Sequence, residues 1–262
     1  MIDDGALYVS LLLAHDIERI DLTTGVSSFV SVDDIGPWDV QNGLFVTART
    51  VGRGSVESIT LRDGSVYWTE SDHILRRMIL GGGTTQTIAE NVSQYTVFED
   101  RVVFISDRNL FYKRLTDAEP TLVLRDVDSF DSVASDGILV TRYSAGAGIY
   151  QIHGEVLRVS WAEEVEKIYE TDAVTYHNVF SLGGVSAGGT TYVGVVNTYD
   201  TRLLAVRNGF AAEIYHALQI GVLAADADAL TFLEWGGYGA ATGWHHLVRL
   251  SCATPPRSRA IR

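Results

Sequence analysis

The chain has 262 residues, 46% hydrophobic and 10% aromatic, which is ample for a buried core and excludes disorder as the default state. Its 20 Lys and Arg stand against 33 Asp and Glu, a formal net charge of −13 that repels a phosphate backbone and argues against nucleic acid and anionic membranes. The single cysteine, Cys252, excludes an intrachain disulfide, and no apolar run is long enough to span a bilayer.

Short runs of β-branched and aromatic residues between Gly, Asp and Asn predict strands and tight turns along the whole chain. The start, Met1-Ile-Asp-Asp, is acidic where a secretion signal is basic, and Leu11-Leu12-Leu13 is too short for a signal's apolar core. The chain therefore reads as soluble, with the compartment unassigned and an exported parent left open. Asp3-Asp4-Gly5-Ala6-Leu7-Tyr8-Val9 matches the second half of a unit that recurs downstream. The unit first appears whole from Ile35, and returns from Val56, Val92, Val127, Val174 and Ile220. Each copy has a β-branched residue, two small or polar residues, a bulky one, a polar one, an apolar one, a turn and a second strand.

Most copies are spaced by about 37 residues, the period of a blade-sized repeat. The second copy is short by about a strand pair, so Val51-Gly52-Arg53-Gly54-Ser55 must stand in for its outer strands. In the third copy Ile74–Leu80 and Thr85–Glu90 supply a third and fourth strand, joined through Gly81-Gly82-Gly83; in the next, Leu110–Leu115 and Thr121–Arg125 do. The fifth copy is too long, and its excess lies within Ser144–Trp161, an added hairpin or loop carrying Tyr150 and His153. Ala162–Glu170 reads either as a short helix or as a charged edge strand. The last copy ends after His246–Cys252.

Four short antiparallel strands per unit, repeated at one period, define a β-propeller; a β-sandwich has no reason to repeat one sequence. The expected fold is all-β, a propeller of six to seven four-stranded blades with one blade truncated and ring closure open. Residues 1–252 form the propeller domain and 253–262 a C-terminal tail or a last strand. Val66-Tyr67-Trp68-Thr69-Glu70, followed by Ile74-Leu75-Arg76-Arg77-Met78-Ile79-Leu80, resembles the YWTD-type propeller unit of lipoprotein-receptor-like proteins and their bacterial relatives. Glu70 stands where that family has Asp, and Phe104-Ile105-Ser106-Asp107 and Phe45-Val46-Thr47 match in part. The resemblance implies that this strand is the second of its blade, and that the protein is a binding scaffold rather than an enzyme.

Aligned on their turns, the first strands give columns that alternate between two faces. One face carries Trp38, Ile59, Tyr95, Phe130, His177 and Leu223, and is expected to pack between blades. The other carries Asp39, Thr60, Thr96, Asp131, Asn178 and Ala224, small and polar, as a wet channel wall would be. Asp39, Asp131 and Asn178 supply oxygen ligands suited to a hard cation such as Ca2+ in a central channel; water filling the channel is the alternative. Trp38, Tyr95, Phe130, His177, Tyr150 and His153 are the candidate ligand-binding residues. For His177 a packed core histidine is the commoner fate, and His73 reads as a surface turn residue. No Gly-x-Ser-x-Gly elbow occurs, and no catalytic residue is assigned.

The favoured function is a non-catalytic module holding a protein, peptide or glycan on a propeller face or channel mouth. The alternative is a metal-assisted hydrolase or lyase working from the central channel. An unclosed seam would expose strand edges and favour self-association.

Overall fold

A computed structural model describes residues 2–3, 6–11, 16–21, 23–24, 26–31, 37–42, 44–52, 55–146, 151–174, 180–187, 190–197, 200–217, 219–225, 229–236 and 244–251. By packing, the chain divides into two compact units, residues 1–107 with 113–118, and residues 108–112 with 119–262.

The described residues are all-β, in antiparallel sheets whose strands follow chain order. The first sheet holds β1 (Ile2–Asp3), β2 (Ala6–Leu11), β3 (Asp16–Asp21) and β4 (Ser27–Ser31). It is more complete than the sequence reading: a two-residue strand, Ile2–Asp3, pairs with β2 where a blade lacking its first strand is expected. The truncated copy is a two-stranded sheet, β5 (Trp38–Gln41) and β6 (Leu44–Thr47), followed by the 3-10 turn Ala48–Val51. Next come β7 (Val56–Arg62), β8 (Ser65–Glu70), β9 (Leu75–Ile79) and β10 (Gln86–Ala89), and then β11 (Val92–Phe98), β12 (Arg101–Ser106), β13 (Asn109–Arg114) and β14 (Thr121–Leu124), each set a four-stranded sheet.

The long fifth copy is β15 (Ser129–Ala134), β16 (Gly137–Ala145), β17 (Gln151–Val159) and β18 (Val165–Val174). Its excess is spent on strand length: β17 and β18 run for 9 and 10 residues. Ala162–Glu170 does not form a helix; from Val165 on it enters edge strand β18, where Val165, Glu166, Lys167, Tyr169 and Glu170 pair with β17 and Ile168 is passed over at a bulge. The last two sheets are β19 (Phe180–Ala187), β20 (Thr190–Asn197), β21 (Asp200–Arg207) and β22 (Phe210–Ala217), and a three-stranded set, β23 (Gln219–Ala225), β24 (Ala229–Gly236) and β25 (Trp244–Ser251). In the first of these the leading strand is described from Phe180, and the column residues His177 and Asn178 lie outside the described residues.

Turn chemistry sets the register. At the β7–β8 hairpin Asp63 and Gly64 take φ of 47° and 71°, the left-handed pair that a two-residue turn matched to strand twist requires. Asn208 and Gly209 repeat it between β21 and β22 with φ of 51° and 76°.

Both faces of the sheets are apolar, so within each unit consecutive sheets pack face to face, as propeller blades do. Within the first unit Ala6, Tyr8 and Ile17 of the first sheet meet Val40, Trp38 and Phe45 of the second. Val46 in turn packs against Val56, Ile59, Leu61, Val66 and Trp68 of the third. Within the second unit Leu139 and Val156 meet Val193, Val195, Leu204 and Val206, and Tyr192 and Leu203 meet Leu230 and Phe232. Among the described residues no helix is long and apolar enough to cross a membrane.

Candidate functional site

The strongest concentration of chemistry lies on the β17–β18 ribbon. In a strand, residues two apart share a face, so His153 and Glu155 of β17 look the same way. In register opposite them on β18 stand Asp172 and Glu170, giving the pairs His153–Asp172 and Glu155–Glu170. Four titratable side chains thus share one face of a two-stranded ribbon, with His153 and Glu155 half-buried and Glu170 and Asp172 exposed.

Two carboxylates directly opposite each other repel, so a cation between or beside them stabilises this face. His153 is placed to be that cation or to hold one. Its Nδ1 lies 2.9 Å from Asp172 Oδ1, while Nε2 faces Glu155 Oε1 at 3.9 Å and Glu170 Oε2 at 3.8 Å. The Asp172 hydrogen bond, aided by the charges of Asp172, Glu155 and Glu170, holds the imidazole pKa above its ordinary value. Lys167 Nζ sits 2.6 Å from Glu170 Oε2 and lowers the Glu170 pKa. Arg142, in register with Glu155 on its other side, is drawn off: its guanidinium donates to the carbonyls of Asp126 and Arg125 at 3.0 and 2.8 Å.

His153, Glu155 and Glu170 offer one ligand atom each, all within 4.8 Å of one another. Ligands about 2.1 Å from a tetrahedral ion stand roughly 3.4 Å apart, so the two Nε2–carboxylate distances need close by only about 0.4–0.5 Å. Asp172 on Nδ1 fixes the tautomer that leaves Nε2 free, the arrangement that orients metal-binding imidazoles. One nitrogen and two carboxylate oxygens suit Zn2+ or Mn2+ better than Ca2+, which takes six to eight oxygens.

The other sequence candidates fall in several places. Asp39 is buried, and its carboxylate accepts the backbone N–H groups of Val40 at 2.8 Å and of Leu61, on the next sheet, at 2.6 Å. Asp131 does the same further along the chain: it accepts the Thr141 hydroxyl at 2.7 Å and the N–H of Gly184 on the following sheet. Both carboxylates therefore clasp the backbone of a neighbouring sheet. Trp38 leans on Phe45 with ring centroids 6.2 Å apart, and Phe130 is buried, as expected of the face between sheets. Tyr95 donates its hydroxyl to the carbonyl of Tyr67 on the preceding sheet at 2.9 Å, and burial pushes its pKa up to about 12. Tyr150, His177 and Asn178 lie outside the described residues.

Of these four the sequence singles out His153 alone, as a ligand-binding residue and not as a metal ligand, and leaves Glu155, Glu170 and Asp172 unmarked. The cross-strand register brings them together, and a bulge between Val156 and Leu157 shifts it by one residue. The alternation of acidic residues along 166–172 was the available signal.

No family model matches the chain, and no curated protein does. Among solved structures it is similar to Pyrococcus horikoshii acylaminoacyl peptidase, with a TM-score of 0.55 and 9% identity over 75% of this chain and 39% of that one. It also aligns with BamB from Moraxella catarrhalis, with a TM-score of 0.44 and 13% identity over 89% of this chain and 65% of that one. The computationally designed Ika8 protein aligns with a TM-score of 0.44 and 9% identity, over 88% and 66%. The chain spans less than two thirds of the peptidase and of BamB. At such identities the likeness to the peptidase speaks to fold alone.

Proposed function

We propose that this protein holds a divalent metal ion on the β17–β18 ribbon through His153, Glu155 and Glu170, and uses it in metal-assisted hydrolysis. The observation that carries the reading is the division of labour on one imidazole. Asp172 takes Nδ1 at 2.9 Å, and Nε2 faces two carboxylates at 3.8 and 3.9 Å. Three protein ligands leave a coordination position for water, which a Zn2+-class ion makes nucleophilic near neutral pH. Lys167, released from Glu170 on metal binding, would be free to neutralise developing negative charge on a substrate oxygen. The site proposed at a channel mouth thus moves to the outer strands of the long blade.

The test is metal titration of chelator-stripped protein with Zn2+ and Mn2+, followed by assay of the loaded protein on ester, phosphoester and peptide substrates. One saturable equivalent, lost in His153→Gln and weakened roughly 10–100-fold in Asp172→Asn, is expected. Binding that ignores both substitutions overturns the metal site. Stoichiometric metal without turnover on any substrate returns the protein to the second reading, a binding module for a protein, peptide or glycan partner. The long strands of this blade support that reading, since extended ribbons on a rigid scaffold present binding loops. A relation to YWTD-type propellers belongs to the same proposal; it is supported by Val66–Glu70 forming most of β8, the second strand of its sheet.

A further inference from the structure

A second site lies in the first unit, away from any acidic cluster. Between β7 and β11, the first strands of successive sheets, there is a cavity of about 390 Å3, toward the lower end of the ~300–1,000 Å3 of small-ligand sites. Its lining is unusual for a gap between apolar sheets. Ser58 and Thr60 come from β7, Thr69 from β8, and Ser93, Gln94 and Tyr95 from β11, with Glu57 and His73 beside them.

The hydroxyls form a connected floor. Ser58 Oγ and Thr69 Oγ1 are 2.7 Å apart, and the Tyr95 phenol shares hydrogen bonds with Ser58 and Thr60 while donating to Tyr67. Hydroxyls rotate and can donate or accept, so this floor can complement a partner hydroxyl in either sense. At the exposed edge Glu57 Oε2 and His73 Nδ1 face each other at 3.7 Å. His73 is fixed there by a left-handed turn, φ 56°, with its N–H on the Glu70 carbonyl and its own carbonyl accepting from Val92.

The lining excludes most ligand classes. It contains no Lys or Arg and does contain a carboxylate, so it repels phosphates and other anions. An apolar guest would strip water from hydroxyls and an amide without replacing those hydrogen bonds. Tyr95, Val92 and the carbon atoms of the Ser and Thr side chains give the cavity an apolar wall, and the hydroxyls and Gln94 set polar groups around it, which together call for a guest with an apolar face and hydroxyls around its rim. We infer that this cavity binds a neutral carbohydrate, one sugar ring seated on the Ser58–Thr60–Tyr95 floor with its vicinal hydroxyls toward Glu57 and Gln94.

The inference is independent of the metal, so its test is run with chelator present. Saturation-transfer NMR and calorimetry would be carried out on the intact protein with methyl glucoside, methyl galactoside, methyl mannoside and N-acetylglucosamine, with glucose 6-phosphate as the anionic comparison. A short oligosaccharide of the best binder distinguishes a free sugar from a chain end. At least one neutral sugar should bind saturably. Ser58→Leu, which fills the floor, should abolish binding, and Glu57→Ala, at an exposed position where folding is not at stake, should weaken it on the order of tenfold. No neutral sugar binding to the folded protein overturns the inference. So does binding that Glu57→Ala leaves unchanged, or a preference for the phosphorylated sugar.

Discussion

Replacing Asp131 by asparagine isolates the electrostatics of the sheet-to-sheet clasp. The residue is open to solvent on one side, while protein surrounds the carboxylate on the others. That burial raises its pKa from 3.8 to about 6, outweighing the hydrogen bonds from Thr141 and Gly184. A carboxyl whose folded pKa exceeds its unfolded one binds its proton more tightly in the native state. It therefore subtracts stability as pH rises from about 4 through about 6. A rise of that size would be worth ~3 kcal/mol in a dry site. Water on the open side screens that charge, and the expectation falls to about 1 kcal/mol. The Asp131→Asn variant keeps an acceptor oxygen for Thr141 or Gly184 and has no charge to bury. Urea unfolding of both proteins between pH 4.5 and 7.5 should show the variant gaining about 1 kcal/mol relative to the parent across that range. Parallel stability curves would refute the reasoning, whatever the constant offset between them.

Asp39→Ala leaves the Leu61 N–H without its 2.6 Å acceptor in a buried setting, and a loss of about 2–4 kcal/mol is expected in the same unfolding assay. His153 carries opposite signs for proton and metal. In metal-free protein its raised pKa stabilises the fold below about pH 6.5, and that gain disappears as pH climbs through the raised value, so the stability difference from His153→Gln should shrink above neutrality. Metal affinity measured by calorimetry should instead fall as pH drops, because the proton and the ion compete for Nε2. Gly137→Ala should cost about 3 kcal/mol or more, or prevent folding, since Gly137 has φ of 144° and a Cβ there would sit 2.2 Å from the Val159 carbonyl oxygen; circular dichroism melting reads it directly.

The blade grammar was legible because turns and β-branched runs act locally. Asp63-Gly64 and the apolar alternation of β8 specify their hairpin without reference to the rest of the chain. The signal fades where side chains are missing. Phe180–Ala187 contains Gly183 and Gly184, which weaken the strand signal over the segment that forms β19. Gly184 is buried against Tyr192 and Leu139, where a larger residue would crowd the Tyr192 carbonyl at 3.3 Å. The metal candidate was half-legible: a His on a long ribbon could be picked out, but its carboxylate partners depend on a bulged register that composition does not report. His73 read as a turn residue, which it is, and only the packing of β11 against β7 puts it beside a cavity.

The clasps made by Asp39 and Asp131 bear on how such a chain can diverge. Each joins one sheet to the next by gripping a main-chain amide rather than a side chain, on Leu61 in one case and Gly184 in the other. Every amino acid but proline carries that amide, so the bond places almost no demand on the identity of its partner. Copies of the unit joined this way can drift apart in sequence while their junctions persist. That freedom accounts for a repeat whose period is plain and whose residues scarcely repeat at all.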